Sequence, residues 1–155
     1  MKVTEAPLKT YVSHLNVRTN TAPEFVDITD RVEQTVKNSQ ISNGFVLVYS
    51  KHTTAAIKIQ ENEPLLLEDM ARLLENFAPQ SGSYRHNDFD VRTVHMHEDE
   101  CPNGHSHCQH LTLSTSETLP LINGSIPLGQ FQRIFLVELD NQKSEREVLI
   151  QILGV

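Results

Sequence analysis

The segment from residue 86 to residue 110 carries most of the side chains in this chain that are suited to chemistry. Six of the eight histidines and both cysteines lie within it, beside an acidic run at Glu98, Asp99 and Glu100. Imidazole, thiolate and carboxylate groups bind divalent transition metals, and imidazole also transfers protons near neutral pH. We therefore take this segment as the candidate chemical centre of the protein.

Two His-x-His pairs occur in this segment, His95/His97 and His105/His107. Side chains two positions apart share a face on a strand, where they can bind one metal ion, but they diverge on a helix. Six histidines cannot all meet one ion. For His95 and His97, which flank the acidic run, a solvated loop is the alternative to a site.

Two carboxylates outside this segment have apolar neighbours. Asp69 lies at the edge of the apolar stripe of a predicted helix, and Glu138 shares a strand face with Ile134 and Leu136. A carboxylate in such surroundings is partly desolvated and needs a partner or a functional role. The alternatives are a salt bridge at the edge of the stripe for Asp69 and a solvent-exposed strand end for Glu138.

A polar loop, residues 50–54, joins two apolar strands, and such loops often carry sites on a rigid scaffold. In it, His52 is a candidate base or metal ligand, and the hydroxyl groups of Thr53 and Thr54 are suited to hold a phosphate. A polar connection between strands is also ordinary. Further along, Asn62 precedes a helix that begins at Pro64, where its only role could be to cap the helix.

The composition excludes several classes of function. A chain of 155 residues fits one domain with a real core, and 13 basic against 20 acidic residues give a formal charge of -7. That charge argues against nucleic-acid or anionic-membrane partners. No apolar run approaches the roughly 20 residues that span a bilayer, and residues 1–9 lack a signal-peptide core, so a cytoplasmic protein is predicted. In the reducing cytoplasm, Cys101 and Cys108 are expected to be free thiols, with a disulfide or a zinc site as alternatives.

Periodicity predicts an α+β protein with a mainly antiparallel sheet or sandwich and two or three helices. Strands are predicted at 8–17, 45–49, 55–60, 119–122, 131–139 and 148–153, and helices at 28–36, 64–77 and 103–111. The last two strands are apolar on both faces, so layers should cover both sides. Residues 80–102 are predicted to form a loop with a short hairpin. The second helix is predicted to bury a stripe formed by Leu66, Met70, Leu73, Leu74 and Phe77.

One motif links the chain to a known family. The pattern Ser116-x2-Leu119-x-Leu121-x2-Gly124-x4-Gly129-x2-Gln132-x-Ile134 closely resembles the signature of the YjbQ-like family, called secondary thiamine-phosphate synthases. Further matches, in the same order and spacing, are His52-Thr53-Thr54-Ala55, Glu61-Asn62, Asp69, Tyr84-x-His86-Asn87-Asp88, Asn103-Gly104-His105-Ser106-His107, and Glu138 before Arg146. The chain departs from the signature at Gln130-Phe131, where Thr-Trp is usual.

The resemblance implies one domain over residues 1–155, a jelly-roll-like β-sandwich with two or three helices, assembled as a homotrimer with a polar pocket near the subunit interface. It implies a divalent metal ion, zinc or magnesium/manganese, with His52, His86 and His107 as ligands. The other matching site positions are Glu61, Asn62, Asp69, Asp88 and Glu138. Substrate phosphate groups are expected at the hydroxyls of Thr53, Thr54, Ser114 and Ser116.

The implied reaction couples hydroxymethylpyrimidine diphosphate with thiazole phosphate and releases pyrophosphate, as a main or a side activity. One alternative is a metal-dependent hydrolase, in which bound water is the nucleophile and Asp69 or Glu138 the base. Another is a non-enzymatic, metal-binding trimer.

Overall fold

Two antiparallel sheets face each other across an apolar core in the computed structural model, which describes residues 7–142 and 145–155. One sheet has the order β1-β7-β3-β5, with bounds Lys9–Arg18, Glu145–Gly154, Gly44–Ser50 and Ser116–Leu121. The other has the order β2-β6-β4, with bounds Glu24–Asp27, Arg133–Glu138 and Ala55–Gln60. The predicted α+β sandwich is confirmed. Along the chain, successive strands alternate between the two sheets, so every connection crosses an end of the sandwich.

Three α-helices lie in the described residues: α1 (Thr29–Ser39), α2 (Pro64–Phe77) and α3 (Gly104–His110). A single 3₁₀ turn spans Arg85–Asn87. The predicted hairpin in residues 80–102 is wrong, because no residue of that range forms a strand. The short strand β2 was not predicted from the sequence. No helix of the described residues is long and apolar enough to cross a membrane.

Strand β6 is covered on both faces, as its sequence predicts. Ile134 and Leu136 point into the core between the sheets, while Phe135 and Val137 pack with Leu74 of α2 on the other side. The same prediction is wrong for β7 within one chain. Its residues Val148, Ile150 and Ile152 are buried, but the opposite face of the strand is not covered, and Leu153 is exposed there.

The buried face of α2 is narrower than its sequence predicts. Leu74 is buried and Leu67 is partly buried against the apolar cluster that contains Phe135 and Val137, but Leu73 and Phe77 of the predicted stripe are exposed. The helix has apolar residues on more than one face, and a single sheet can cover only one of them. Periodicity therefore predicts the position of the helix correctly, but it predicts burial for a part of the helix surface that is exposed.

Candidate functional site

Strand pairing gathers the candidate residues at one end of the sandwich. Ala55, the first residue of β4, pairs with Glu138, the last residue of β6, and Ser50 at the end of β3 pairs with Val148 of β7. The polar loop after Ser50 therefore lies beside the start of β7. The 3₁₀ turn and the first turn of α3 border the same region, since His86 and His107 line the same cavity as His52.

This end of the sandwich holds a cavity of about 600 Å³. Histidines make up a large share of its lining, at positions 52, 86, 95, 97 and 107. The lining also contains three cations and three carboxylates, Lys51, Arg92, Arg146, Asp99, Glu100 and Asp140. Thr53 and Thr54 line it as well. The three imidazoles expected from the sequence to converge thus border one cavity.

A second cavity of about 490 Å³ adjoins the first and shares His86, Arg92 and His95 with it. Its other lining residues are Arg85, Val91 and Val94, so its walls are partly apolar. The first is a partly enclosed polar cavity, and the second is a shallow depression, open to solvent, with partly apolar walls.

A close backbone contact brings His86 and His107 together. A Cβ atom on Gly104 would lie 2.6 Å from the Cβ of Tyr84, so only glycine lets α3 approach the residue before the 3₁₀ turn so closely. The Gly104 N–H also donates to Asn87 Oδ1 at 2.8 Å. The His86 and His107 rings consequently meet edge to face, with centroids 4.7 Å apart.

Burial shapes the chemistry of this histidine pair. The Nε2 atom of His86 is buried and has no hydrogen-bond partner among the described residues. Burial lowers the pKa of His107, and the neighbouring charge of a protonated His86 lowers it further. The neutral form, with a lone pair available to accept a proton or bind a metal ion, is therefore favoured at His107.

His52 is held by the start of β7. Its Nε2 atom accepts a hydrogen bond from the backbone N–H of Glu147 at 2.9 Å. Burial lowers the pKa of His52, and the positive charge of Arg146 is the next largest cause. The imidazole is thus fixed in orientation and favoured in its neutral form.

Glu138 is a saturated, buried carboxylate that is not part of the cavity lining. Its side chain is 0% exposed. Oε2 accepts from Thr19 Oγ1 at 2.9 Å and from Arg146 Nε at 2.6 Å. Oε1 accepts from the backbone N–H groups of Leu139 and Asp140, at 3.0 and 2.9 Å, and from Arg146 Nη2. With five donors, Glu138 serves to position Arg146 at the cavity and has no lone pair to spare for a substrate.

Two of the sequence-predicted residues, Glu61 and Asn62, lie at the other end of the sandwich. They follow β4, whose six residues span roughly 20 Å. The Asn62 side chain donates to Asp27 Oδ2 at 3.0 Å. The cap of α2 is Glu63, whose carboxylate accepts from the first free N–H groups of the helix, so the interpretation of Asn62 as the cap is wrong. Within one chain, neither residue reaches the cavity.

Asp69 is also remote from the cavity in one chain. Its side chain is 59% exposed and forms an ion pair with Arg72, as the salt-bridge alternative predicts. The expected desolvation is absent because its neighbours Leu65 and Leu73 lie on the exposed side of α2.

The remaining predicted residues divide into two groups. Thr53 and Thr54 line the cavity, whereas Ser114, Ser116 and Asp88 do not. The Ser114 carbonyl accepts from Ile57 N at 2.9 Å and connects the segment to β4. Asp88 Oδ1 accepts from Asp90 N at 3.2 Å, within a turn.

Two buried residues of the cavity wall received no role from the sequence, although the family match includes Arg146. Arg146 is in phase with Val148, Ile150 and Ile152 on the inward face of β7, the same pattern that drew attention to Glu138. Applied to β7, that argument would have found it. Asp140 accepts from Asn103 Nδ2 at 2.9 Å, a contact between distant parts of the chain for which the sequence offers no signal.

The residues present do not fit the expected three-histidine metal site. Among the described residues, no three His, Cys, Asp or Glu side chains are arranged to hold one ion. His86 and His107 are adjacent, but His52 uses Nε2 to bind the β7 backbone. Cys101 lines the cavity whereas Cys108 is exposed on α3, so the two thiols do not share a zinc site. They form no disulfide, as expected.

Comparisons with known proteins match this chain to one family over nearly its whole length. A family model described as UPF0047 protein YjbQ-like matches residues 13–155. A UPF0047 protein of Methanothermobacter thermautotrophicus is 39% identical over 147 residues, which are 95% of this chain and 94% of that protein. The UPF0047 protein YugU of Bacillus subtilis is 31% identical over 141 residues, 90% of this chain and 97% of YugU. A solved YbjQ-like protein of unknown function from Sulfolobus solfataricus has a TM-score of 0.86 at 38% identity, covering 96% of this chain and 100% of its own.

Proposed function

The chain belongs to the YjbQ-like (UPF0047) family, and we propose that it is a secondary thiamine-phosphate synthase-like enzyme. Its substrates would be hydroxymethylpyrimidine diphosphate and thiazole phosphate. The observation that carries this proposal is the pair of adjoining cavities, one lined by donors suited to phosphate and the other partly apolar. Each volume lies in the range of small-ligand sites.

The proposed reaction makes modest demands on the protein. The thiazole nitrogen attacks the methylene carbon of the pyrimidine, a C–N bond forms, and the C–O bond to the diphosphate breaks. Pyrophosphate leaves with the electron pair of that bond, and no protein nucleophile is required. The protein has to orient two rings and stabilise the charge that develops on the leaving group.

The polar cavity offers groups for the second task. Arg146, Lys51 and the hydroxyls of Thr53 and Thr54 can donate to phosphate oxygens. Lys51 also contacts Glu147 Oε2 at 3.0 Å, and Arg146 is paired with Glu138. Because these cations have carboxylate partners, the cavity supplies oriented N–H donors more than net positive charge.

The divalent ion implied by the resemblance stays a prediction. His86 and His107 are the two adjacent imidazoles that support it. Metal analysis of untagged protein, repeated on His107→Ala, tests it. Bound metal that disappears in the variant would support the ion, whereas unchanged metal content would contradict the role of His107.

The assay that tests the function mixes purified protein with both substrates and measures thiamine phosphate and pyrophosphate separately. We expect equal amounts of both products, and a loss of about tenfold in rate in Lys51→Ala from the removal of one charged donor. The matched control is Lys37→Ala, on the exposed side of α1. If the pyrimidine diphosphate is hydrolysed, so that a free pyrimidine product or phosphate appears without thiamine phosphate, the hydrolase alternative would be favoured. Absence of both reactions would refute the proposal.

We also propose that the chain forms a homotrimer. Two of the apolar surfaces exposed on the described residues support this assembly. The sheet surface is the outer face of the four-stranded sheet at Val12, Phe45, Tyr49 and Leu153, and the α2 surface consists of Leu65, Leu73 and Phe77. A closed ring needs two different complementary patches on each copy, so this arrangement supports a cyclic assembly. If the α2 surface docks onto a neighbouring copy, Asp69 would also contact that second subunit.

A further inference from the structure

The hydrogen bond from Glu147 to His52 determines which nitrogen of His52 carries the proton. A backbone N–H can only donate, so Nε2 must present its lone pair to it. In a neutral imidazole the proton is then on Nδ1.

The other ring nitrogen of His52, Nδ1, is available to bind a group in the cavity. Nδ1 of His52 has no hydrogen-bond partner among the described residues, and it is not among their buried atoms that lack one, so it keeps some contact with solvent. Because His52 lines the cavity, it presents an N–H donor there. A donor attracts an anion and has no lone pair for a cation, so His52 cannot join His86 and His107 as a ligand while the Glu147 bond persists.

Two neighbours on the same wall also have donors to spare. Arg146 uses Nε and Nη2 to bind Glu138 and Thr54, whereas its Nη1 makes no hydrogen bond to a described residue. Thr54 Oγ1 accepts from Arg146 Nη2 at 3.0 Å, which leaves its own hydroxyl proton available. Arg146 precedes Glu147 in β7, so the backbone that orients His52 also carries Arg146.

We propose that His52 Nδ1–H, Arg146 Nη1 and the Thr54 hydroxyl form an oxyanion subsite that binds a phosphate or diphosphate group. This inference rests on the proposed function and assigns one part of the substrate to one wall of the cavity. Three carboxylates lie near this wall, and each already has partners: Glu138 is paired with Arg146, Glu147 contacts Lys51 and His14, and Asp140 accepts from Asn103. The adjacent imidazoles of His86 and His107 form another part of the same cavity.

Pyrophosphate binding by calorimetry, with the full chain, tests the subsite through two variants of His52. His52→Asn places an amide N–H near the position of Nδ1, and His52→Gln places its amide near Nε2 and leaves no donor at the δ position. We expect His52→Gln to lose about tenfold in affinity, the effect of one hydrogen bond to a charged group. His52→Asn should stay close to wild type. Equal affinity in all three proteins would overturn the proposal, as would stronger binding by His52→Gln than by His52→Asn.

A measurement on the unaltered protein covers the case in which a variant does not fold. Nitrogen NMR of the imidazoles should show the proton of His52 on Nδ1, and pyrophosphate should shift that resonance. Inorganic phosphate, titrated separately, distinguishes a single phosphate site from a diphosphate site. If zinc alone displaces the Nδ1 proton of His52, the residue is a metal ligand and the proposal is wrong.

The subsite and the proposed function can fail independently. If pyrophosphate binds with the predicted variant pattern but no thiamine phosphate is formed, the subsite stands and the coupling activity does not. If coupling occurs and His52→Gln changes neither its KM nor pyrophosphate binding, the activity stands and the subsite is refuted.

Discussion

The Glu138–Arg146 ion pair joins the two sheets at the end that carries the cavity. Glu138 lies in β6 of one sheet and Arg146 in β7 of the other, and only 2% of the Arg146 side chain is exposed. Burying two charges is costly, and the attraction between them compensates only when other hydrogen bonds satisfy the remaining atoms. Thr19, Thr54 and two backbone N–H groups supply those bonds here.

Glu138→Gln should therefore destabilise the fold strongly. The substitution keeps the shape of the side chain but leaves the Arg146 charge buried without a counter-charge, which typically costs about 3–5 kcal/mol. Urea unfolding of the variant measures this loss. The matched control is Glu117→Gln, whose partner Lys58 is 3.9 Å away, and whose loss should stay within about 1 kcal/mol. Equal effects of both substitutions would show that the buried pair contributes no more than the partly exposed one.

Alternation along a strand identified Glu138 from the sequence, but its role depends on a partner in another sheet. The sequence indicates that a carboxylate faces the core, and only the structure shows that five donors already occupy it. For Asp69 the prediction of burial itself was wrong, since the side chain is exposed. Its apolar neighbours suggested burial, but a helix with apolar residues on several faces gives no sign of which face meets the sheet.

The contact between the 3₁₀ turn and α3 is the element-level feature that builds the histidine pair. It could not be predicted, because residues 80–102 have no periodicity and their path depends on contacts with α3. Apart from the short strand β2, the regular elements were predictable to within a few residues. Their apolar residues repeat with the period of a strand or a helix, and Pro64 begins α2 at a position that suits its fixed φ.

Gly104→Ala should disturb this contact. The added methyl group would lie 2.6 Å from Tyr84 Cβ, so the backbone has to shift, and the hydrogen bond to Asn87 should weaken with it. We expect a loss of about 1–3 kcal/mol in the free energy of unfolding, as for other overpacked sites. NMR should also show changed chemical shifts for His86 and His107.

The matched control for this substitution is Gly129→Ala. Its added Cβ would meet the flexible end of Gln132 at 3.3 Å, and that side chain can move aside with the loss of one exposed hydrogen bond from the Gly129 N–H. A stability loss as large as that of Gly104→Ala would argue against a special contact at α3.

At the scale of the whole molecule, buried histidines make stability depend on pH. Burial is the largest cause that lowers the pKa of His52, His105, His107 and His110 below the usual 6.5. As pH falls below about 6.5, the unfolded chain takes up protons at these positions before the folded protein does. Protons then favour the unfolded state, so stability is greatest above this pH and declines as the medium becomes more acidic.

Thermal unfolding between pH 7.5 and pH 5, at constant ionic strength, measures this dependence. We expect Tm to fall steadily across the range. Glu100 and Glu147, whose pKa values are lowered by hydrogen bonds with Arg92 and Lys51 despite the opposing effect of burial, should add to the loss at more acidic pH. A Tm that is constant or rises towards pH 5 would show that the histidines are not protected from protonation in the folded state.

The two exposed apolar surfaces should determine the assembly. Phe45 is 60% exposed in the sheet surface and Leu73 is 67% exposed in the α2 surface, although large apolar patches are rare on the surface of a monomer. If each copy docks its α2 surface on the sheet surface of the next, every interface of the ring contains both. Either Phe45→Glu or Leu73→Glu should then convert the trimer to monomers, because a buried, unpaired carboxylate is costly.

Sedimentation velocity separates this head-to-tail contact from the alternatives. The matched control is Leu111→Glu, since Leu111 is 83% exposed and belongs to neither surface, and it should leave the trimer intact. A contact between identical surfaces would be broken by only one of the two test substitutions, and it would pair copies rather than close a ring of three. A wild-type protein that sediments as a monomer would contradict the trimer itself. Asp69 would then contact no second subunit.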